Sequence, residues 1–451
     1  MTPVSAKLKT QDFLNRRLGR TETIYWLLDQ LYCLNFVVFA ELEGALNDED
    51  LKLALDIVQQ ENPALRAKIA IDGSRQLCFK SVPESERPLE FEAHPLRDWR
   101  RKIEAQLATP FATEQAPLAR FLWFRGKGKK SVVAMVFHHS VADGKSGACV
   151  LLDVLRRSVG QDRVPTFKTA HPSSQQLDLI QDKGLIKGKL KELKFWLNTG
   201  KALLKFPKQL PGYSMKSGDA RKVKTIPFSI SAKASAALLA VCRDRGTTMH
   251  GALGAALLLA INDEFEAVAS RNLGLNSLAD MRPVLKGGLT ELDLGLYITT
   301  LTTTHRLGEK PNFWALAGEI PDRLKAIMRS GDANLINNIY TEMPLFTPDQ
   351  SGARKLQKIV ALAPPSSMLT NIGKINEQPL SSSLSIRSLA FAVSPPTQNP
   401  VCVTAASYCG TMHLNLLYDQ CMLKGDQARR IAKNMLSKLL QEAGEDKMMR
   451  H

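Results

Sequence analysis

The chain has 451 residues, of which 44% are hydrophobic and 23% charged, and its formal net charge at pH 7 is +16. This length suits two domains of roughly 200 residues each rather than one core, and the composition is that of a globular protein. The basic excess favours acidic partners, namely nucleic acid, anionic lipid or an acidic carrier protein.

Cysteine usage and the N-terminal residues bear on location. The seven cysteines are scattered and include no Cys-x-x-Cys pair, which argues against a zinc ribbon or a disulfide framework and suits a reducing, cytoplasmic setting. Residues 1–20 are polar and lack the apolar core of a signal peptide. No apolar run is long enough to cross a bilayer. We therefore expect a cytoplasmic protein whose only membrane contact, if any, is peripheral.

The first half, residues 1–163, is predicted to mix strands and helices. Residues 34–44 form an apolar stretch that becomes half polar, which is typical of a strand. Asn47 begins a helix that Pro63 ends, because proline cannot continue a helix. The other predicted elements of this half are strands at 121–124 and 131–137 and a helix at 146–157.

Residues 164–225 differ in character and are predicted to form a basic helical linker. From Lys183 to Lys208 there are eight lysines and one acid, Glu192. Apolar residues recur there at helical spacing, which indicates a basic amphipathic helix. Two interpretations stay open: a solvated linker helix that packs its leucines on the body, or a peripheral contact with an anionic membrane or an acidic partner.

Residues 226–451 are predicted to form the second folded half. Thr247 or Thr248 begins an apolar helix that runs through Ile261 and is buried on most sides. Strands are predicted at 273–279, 297–307, 389–393, 401–407 and 412–418, and a final helix at 425–442. The chain is thus expected to be a mixed α/β protein with two lobes.

The most informative segment follows the predicted strand at 131–137. This apolar strand leads to His138 and His139, and Asp143 and Gly144 follow after three residues. Histidine exchanges protons near neutral pH, and the end of a buried strand can aim it into a cleft as a general base. The alternative is that both histidines are satisfied core residues beside a turn. The pair, the acid and the glycine together favour chemistry.

Metal binding, serine-hydrolase chemistry and nucleic-acid binding are disfavoured. Adjacent residues on a strand point to opposite faces, so His138 and His139 are poorly placed to bind one ion. No other cluster of His, Cys or carboxylate residues supplies a ligand set, so we expect no metal. A Gly-x-Ser-x-Gly nucleophile turn is absent. No nucleic-acid-binding motif occurs, and only 6% of the residues are aromatic.

The segment His138-His139-Ser-Val-Ala-Asp143-Gly144 resembles the His-His-x-x-x-Asp-Gly signature of the condensation-domain superfamily. This superfamily includes nonribosomal-peptide condensation domains, polyketide-associated acyltransferases, wax-ester synthases and alcohol acetyltransferases, all with a chloramphenicol-acetyltransferase-like fold. Weaker similarities to the family occur at residues 61–66, 279–283, 370–373 and 417–419. The Asp-Phe-Gly-Trp-Gly element of the plant branch is absent, and Asn62 stands where many relatives have histidine.

The resemblance implies a fold and a role for each residue of the motif. The fold would consist of two such lobes, arranged as a V-shaped pseudodimer with a tunnel between them. His139 would be the general base, and His138 would face away and support the turn. Asp143 would pair with an arginine, for which Arg282 is the candidate, and so hold the loop. Gly144 would leave room for a pantetheine arm.

Substrate and partners follow from the same resemblance. The expected reaction is transfer of an acyl group from a CoA or carrier-protein thioester to an alcohol, without any cofactor besides the thioester substrate. Asn371 is expected to contact the acyl group or the oxyanion, although an asparagine near a glycine is also a common turn residue. No carrier or adenylation domain occurs in this sequence, which favours a stand-alone enzyme. The alternatives are an amide-forming condensation enzyme that acts with separate carrier proteins, and a catalytically silent module that binds carrier proteins.

Overall fold

The computed structural model describes residues 14–83, 88–161, 221–265, 272–285, 288–330, 346–360, 367–375, 380–396 and 399–445. The basic helix predicted between Lys183 and Lys208 lies outside these residues, as does nearly all of the linker predicted at 164–225. In the described part of the chain, no helix combines the length and the apolar character needed to cross a membrane.

Fourteen strands and nine α-helices make up the described structure. The strands are β1 (Arg16–Arg17), β2 (Asn35–Gly44), β3 (Ala67–Ile71), β4 (Leu77–Ser81), β5 (Glu90–Pro95), β6 (Ala119–Arg125), β7 (Lys130–His138), β8 (Val223–Ile230), β9 (Asn272–Asp280), β10 (Ile298–Arg306), β11 (Ser367–Lys374), β12 (Leu384–Val393), β13 (Val401–Tyr408) and β14 (Thr411–Asp419). The helices are α1 (Arg20–Tyr32), α2 (Asp48–Glu61), α3 (Trp99–Gln106), α4 (Gly144–Arg157), α5 (Ala232–Asp244), α6 (Met249–Glu264), α7 (Phe313–Ser330), α8 (Gln350–Val360) and α9 (Gly425–Glu442).

These strands form three sheets. The first has five strands in the order β12-β2-β7-β6-β5, and the second has six in the order β10-β9-β11-β13-β14-β8. Strands β1, β4 and β3 form a small third sheet. Both large sheets mix parallel and antiparallel pairs: β5 and β6 are parallel in the first, and β11 is parallel to β9 and β13 in the second. The mixed α/β fold predicted from the sequence is confirmed, as is every strand and helix predicted in these ranges.

Strand β12 comes late in the chain but completes the first sheet. It runs antiparallel to β2 over its whole length, with Phe391 opposite Val38. The strand predicted at 389–393 is therefore only the buried end of a ten-residue strand, because residues 384–388 alternate between buried and exposed positions. The lobe boundaries at 163 and 226 stay a prediction. They place β12 in the second half of the chain, although it pairs with β2 of the first half.

The strands beneath the histidines are apolar because the sheet is covered on its faces. Residues 36–40 of β2 and 131–138 of β7 are buried throughout, and α4 packs against both strands. A strand that is buried on both faces is apolar at nearly every position, whereas a strand with one exposed face alternates apolar and polar residues. In the second half, α6 is buried over 251–261, and the side chain of Thr248 accepts a hydrogen bond from the Gly251 N–H at its start. The helix cap is thus Thr248 rather than Thr247.

Helix α1 was not predicted, and it positions much of the site. Its N-terminus is held by Glu22, whose carboxylate accepts hydrogen bonds from both Arg16 guanidinium nitrogens at 2.7 Å and one from the Gly19 N–H. Its C-terminus is held by Arg221, which donates to the Tyr32 carbonyl at 2.6 Å. Arg221 also pairs with Asp419 of β14, so α1 is tied to the second sheet as well.

Candidate active site

The histidine motif forms the connection between β7 and α4. Strand β7 ends at His138, and α4 begins at Gly144. Asp143 is the N-cap of this helix, and its Oδ1 accepts hydrogen bonds from the Ser146 N–H and hydroxyl, both at 3.0 Å. The helix predicted to begin at residue 146 therefore begins two residues earlier, because the acid of the motif is itself the cap.

His138 points away from the cleft and is only 1% exposed. Its Nδ1 accepts a hydrogen bond from the Ser140 N–H at 3.1 Å, and its Nε2 lies 3.3 Å from Asp29 Oδ2. Acceptance at Nδ1 leaves the proton of a neutral ring on Nε2, toward the carboxylate. Asp29 lies on α1 and also accepts a hydrogen bond from the Leu34 N–H at 2.6 Å. His138 thus joins the motif loop to α1.

His139 lines a cleft between the two large sheets and is 8% exposed. Two aromatic rings contact its imidazole, with ring centroids 4.7 Å away for Phe36 and 4.9 Å for Tyr25. Burial, which has the largest effect, and the neighbouring His138 lower the pKa of His139, whereas Asp143 raises it, and the resulting pKa is about 4. The ring is therefore neutral at pH 7 and can accept a proton.

Asp143 and Arg282 form a buried ion pair, which is the pairing that the family resemblance implies. Arg282 Nη1 lies 2.9 Å from Asp143 Oδ2, and the exposed fractions of the two residues are 5% and 0%. The same Oδ2 accepts a hydrogen bond from the Tyr297 N–H at 3.1 Å. Arg282 also contacts Asp280 at 3.2 Å and donates to the Asp293 carbonyl. Since both oxygens of Asp143 are engaged in this way, the residue anchors the loop.

The empty space in the cleft, together with open solvent at its mouth, is about 460 Å³. It brings together five of the predicted residues: His139, Asp143, Gly144, Arg282 and Asn371. Much of the remaining wall is apolar, and Phe36, Leu278, Ile298, Ile372, Phe391 and Val393 line it. Charged groups are restricted to the end near the ion pair. An apolar wall beside a histidine and a fixed pair of charges suits a substrate with an apolar portion.

Gly144 and Asn371 both line the cleft. A Cβ atom on Gly144 would lie 3.0 Å from Ile372 Cγ2 and 3.5 Å from a Phe391 ring carbon, so a side chain here would narrow the passage. Asn371 is in β11, and its Oδ1 accepts a hydrogen bond from the Gly373 N–H at 2.9 Å. That contact is the turn arrangement which the sequence analysis left open as an alternative.

Several residues of the site were given no role from the sequence, among them Tyr25, Phe36, Lys145 and Asp280. Lys145 Nζ lies 2.8 Å from Asp280 Oδ2, which adds a second cation to the carboxylate that contacts Arg282. Lys145 follows Gly144 in the sequence, and Asp280 lies two residues before Arg282. Both could therefore have been proposed as site residues from the sequence. Tyr25 and Phe36 carry no such signal, because only the packing of α1 and β2 brings them to His139.

The two histidines do not converge on a common point. His138 faces Asp29 of α1, and His139 faces the cleft. Within the ranges that the structure describes, no group of three or more His, Cys, Asp or Glu side chains is placed to hold a metal ion.

Comparison with known proteins agrees with this architecture. The family model described as the condensation domain matches residues 26–445. Among solved structures, the first condensation domain of the CDA synthetase superposes with a TM-score of 0.70 at 12% identity, covering 96% of this chain and 98% of that chain. The trichothecene 15-O-acetyltransferase TRI3 from Fusarium sporotrichioides gives 0.69 at 13% identity, covering 95% of both chains. At these identities the structural likeness shows the fold.

Curated relatives are much longer proteins. Nonribosomal peptide synthetase kk1B from Curvularia clavata is 24% identical over 381 residues, which cover 79% of this chain and 3% of that protein. Gramicidin S synthase 2 from Brevibacillus brevis is 23% identical over 327 residues, or 69% of this chain and 6% of that protein. The chain therefore spans only a small part of the length of the curated relatives it matches.

The fold and the site define a protein of the chloramphenicol-acetyltransferase-like class, with a histidine at the wall of a cleft between two sheets. Because the family model covers most of the sequence, the chain belongs to the condensation-domain family.

Replacing Asp143 by alanine tests the anchoring ion pair. The change leaves the buried Arg282 guanidinium without its main counter-charge, and loss of one partner of a buried pair costs about 3–5 kcal/mol. We expect a decrease of this size in the free energy of unfolding, measured by urea denaturation. The control is Arg387→Ala, which removes an exposed pair with Glu43 and should cost at most about 1 kcal/mol. Equal costs for the two variants would contradict the anchoring role.

The buried state of His139 predicts a loss of stability in acid. Its pKa in the folded protein is about 4, below the ordinary value of 6.5, so the unfolded chain binds more protons between these pH values. Above pH 6.5, the titration of His139 does not change the free energy of unfolding. As the pH falls from 6.5 to 4, it lowers that free energy, by about 3 kcal/mol once the pH is below both pKa values. The free energy of unfolding of His139→Asn should therefore fall less steeply from about pH 7 to pH 4.5.

The control for that experiment is Leu436→Ala on α9, which removes a partly buried apolar side chain and no titratable group. Urea denaturation at a series of pH values should give this control a lower free energy of unfolding with the same slope against pH as the wild type. An identical slope for His139→Asn and the wild type would show that His139 is not held neutral by the fold.

Proposed function

We propose that this protein is an acyltransferase that moves an acyl group from a CoA or carrier-protein thioester to an alcohol. The observation that carries the proposal is the placement of a buried, neutral imidazole, His139, on the wall of a cleft. Family membership supports acyl transfer as the reaction class. The apolar lining of the cleft supports an acyl chain as the group that occupies it.

The reaction divides into addition and collapse. His139 takes the proton of the acceptor hydroxyl while the oxygen attacks the thioester carbonyl, and the new C–O bond leaves a tetrahedral oxyanion. The oxyanion then collapses, the C–S bond breaks, and the departing thiolate receives the proton from the imidazolium. A positioned base of this kind contributes on the order of 10²–10⁴-fold to the rate.

The rest of the motif holds the two reactants at the base. The ion pair of Asp143 and Arg282 keeps the loop in place, and His138 braces it from the other side. Gly144 keeps the passage open, because a Cβ at this position would approach Ile372. We place the thin pantetheine arm of the donor in this passage, where backbone and ligand can approach closely.

Amide formation is the second candidate, and the identity of the relatives favours it. The curated proteins that match this chain include one named as a nonribosomal peptide synthetase and one named gramicidin S synthase 2, and a neutral amine can lose a proton to the same histidine. The donor would then be a carrier-protein thioester. A silent carrier-binding module is the third candidate, but such a module has no use for a buried neutral histidine in an open cleft.

Location and membrane contact belong to the same proposal. We place the protein in the cytoplasm, where acyl-CoA and carrier proteins are available. The eight lysines between Lys183 and Lys208 then provide a basic segment for anionic lipid head groups or for an acidic carrier protein, since each carries negative charge.

Mass spectrometry of the purified protein tests the reaction and separates the three candidates. The protein is incubated with acyl-CoA thioesters of several chain lengths and with a mixture of alcohols and amines. An ester product, cleaved by mild alkali, supports the proposal. An alkali-stable amide supports the second candidate, and no product with either acceptor, whether the acyl group is supplied on CoA or on a carrier protein, supports the third.

The variant His139→Ala should lose acyl transfer by about 10²–10⁴-fold, because the proton of the acceptor then has no base. The rate is measured as thiol released from the thioester in the presence of the acceptor. The control His94→Ala also removes a histidine but leaves the cleft intact, and it should retain wild-type activity. Near-full activity of His139→Ala would exclude His139 as the base.

A further inference from the structure

Tyr25 connects the base to the opposite wall of the cleft. It lies on α1, and its ring is in contact with the ring of His139, with centroids 4.9 Å apart and planes inclined by 55°. Its hydroxyl lies close to the side chain of Thr300 on β10, which lowers the pKa of that hydroxyl. Strand β10 also supplies Ile298 to the cleft wall. One side chain therefore spans the distance from the base to the edge strand of the second sheet.

The two aromatic neighbours of His139 differ in exposure. Phe36 is 0% exposed and lines the cleft, whereas Tyr25 is partly exposed. Of the two rings that contact the imidazole, Tyr25 is therefore the one that solvent reaches. Burial raises the pKa of the Tyr25 hydroxyl to about 12, so the group keeps its proton at neutral pH.

The position of Tyr25 is fixed by the helix that carries it. At the start of α1, Glu22 receives two hydrogen bonds from Arg16, and one turn beyond Tyr25, Asp29 faces His138. These contacts restrain the helix on both sides of Tyr25. The contact with Thr300 adds a restraint at the tip of the side chain.

We infer that Tyr25 is a positioning residue for His139: its ring covers the imidazole against water, and its hydroxyl fixes that ring to Thr300 across the cleft. This inference rests on the proposed function, in which His139 is the base. An acceptor that approaches His139 from this side must fit beside the Tyr25 ring, so Tyr25 also limits the shape of the acceptor that can react.

The charges near His139 determine how its titration responds to a change at Tyr25. His138 lowers the pKa of His139, Asp143 and Asp29 raise it, and burial has the largest effect. Loss of the Tyr25 ring makes the imidazole of His139 less buried. It leaves His138, Asp143 and Asp29 in place. The pKa of His139 should then rise toward its ordinary value.

The test measures this titration directly by NMR on protein labelled at histidine, with the His139 signal assigned by its loss in His139→Ala. In Tyr25→Leu, we expect the midpoint of the His139 titration to rise by about one pH unit or more above that of the wild type. In Tyr25→Phe, which keeps the ring, we expect a smaller shift. An unchanged midpoint in Tyr25→Leu would overturn the inference.

A matched variant on the same helix separates this effect from general loosening of α1. Leu31→Ala removes a partly buried side chain that packs into the same core, so it should lower the stability of the protein and leave the His139 midpoint unchanged. An equal shift in Leu31→Ala and Tyr25→Leu would also overturn the inference.

Kinetics distinguish a failure of the inference from a failure of the proposed function. We expect Tyr25→Leu to lower kcat by about 10–100-fold through misplacement of the base, and Thr300→Val to reproduce the effect of Tyr25→Phe. One outcome is that Tyr25→Leu shifts the His139 titration, whereas neither Tyr25→Leu nor His139→Ala changes the rate of acyl transfer. In that case Tyr25 does position His139, but His139 is not the base. The other outcome is that His139→Ala reduces acyl transfer, whereas Tyr25→Leu changes neither kcat nor the His139 titration. In that case His139 is the base, and Tyr25 does not position it.

Discussion

The buried ion pair between Asp143 and Arg282 is the contact on which the site depends. Asp143 ends the loop that follows β7 of the first sheet, and Arg282 follows β9 of the second sheet. Each buried charge costs several kcal/mol unless a partner and hydrogen bonds compensate it. The Ser146 and Tyr297 N–H groups and the Asp280 carboxylate supply that compensation. The pair therefore fixes the histidine loop relative to the opposite wall of the cleft.

The same packing sets the protonation of His139. Burial makes the imidazole neutral and able to accept a proton, but it also opposes the charged form that proton transfer creates. The carboxylates of Asp143 and Asp29 act in the opposite direction, since both raise the pKa of His139. In the proposed reaction, these two carboxylates near the ring would stabilise the imidazolium.

Local features of the sequence predict much of the fold and part of the site. The apolar run of β7, the cap at Asn47 and the helical spacing of α9 depend on neighbouring residues, and all three are present. The pairing of Asp143 with Arg282 became predictable only through resemblance to a family, because nothing local relates residues so far apart. Tyr25 could not be found in this way. Its role depends on how α1 packs, and the pairing of β12 with β2 is likewise a long-range event.

The pH dependence of kcat/KM for acyl transfer tests the central claim, that the neutral His139 of a buried site is the base. For the wild type, the account predicts a rate that stays constant from neutral pH down to about pH 5 and falls only as His139 becomes protonated, with a midpoint near 4. A midpoint near 6.5, the ordinary value for histidine, would contradict the account, because it would mean that the base is an exposed histidine or that the fold does not hold His139 neutral.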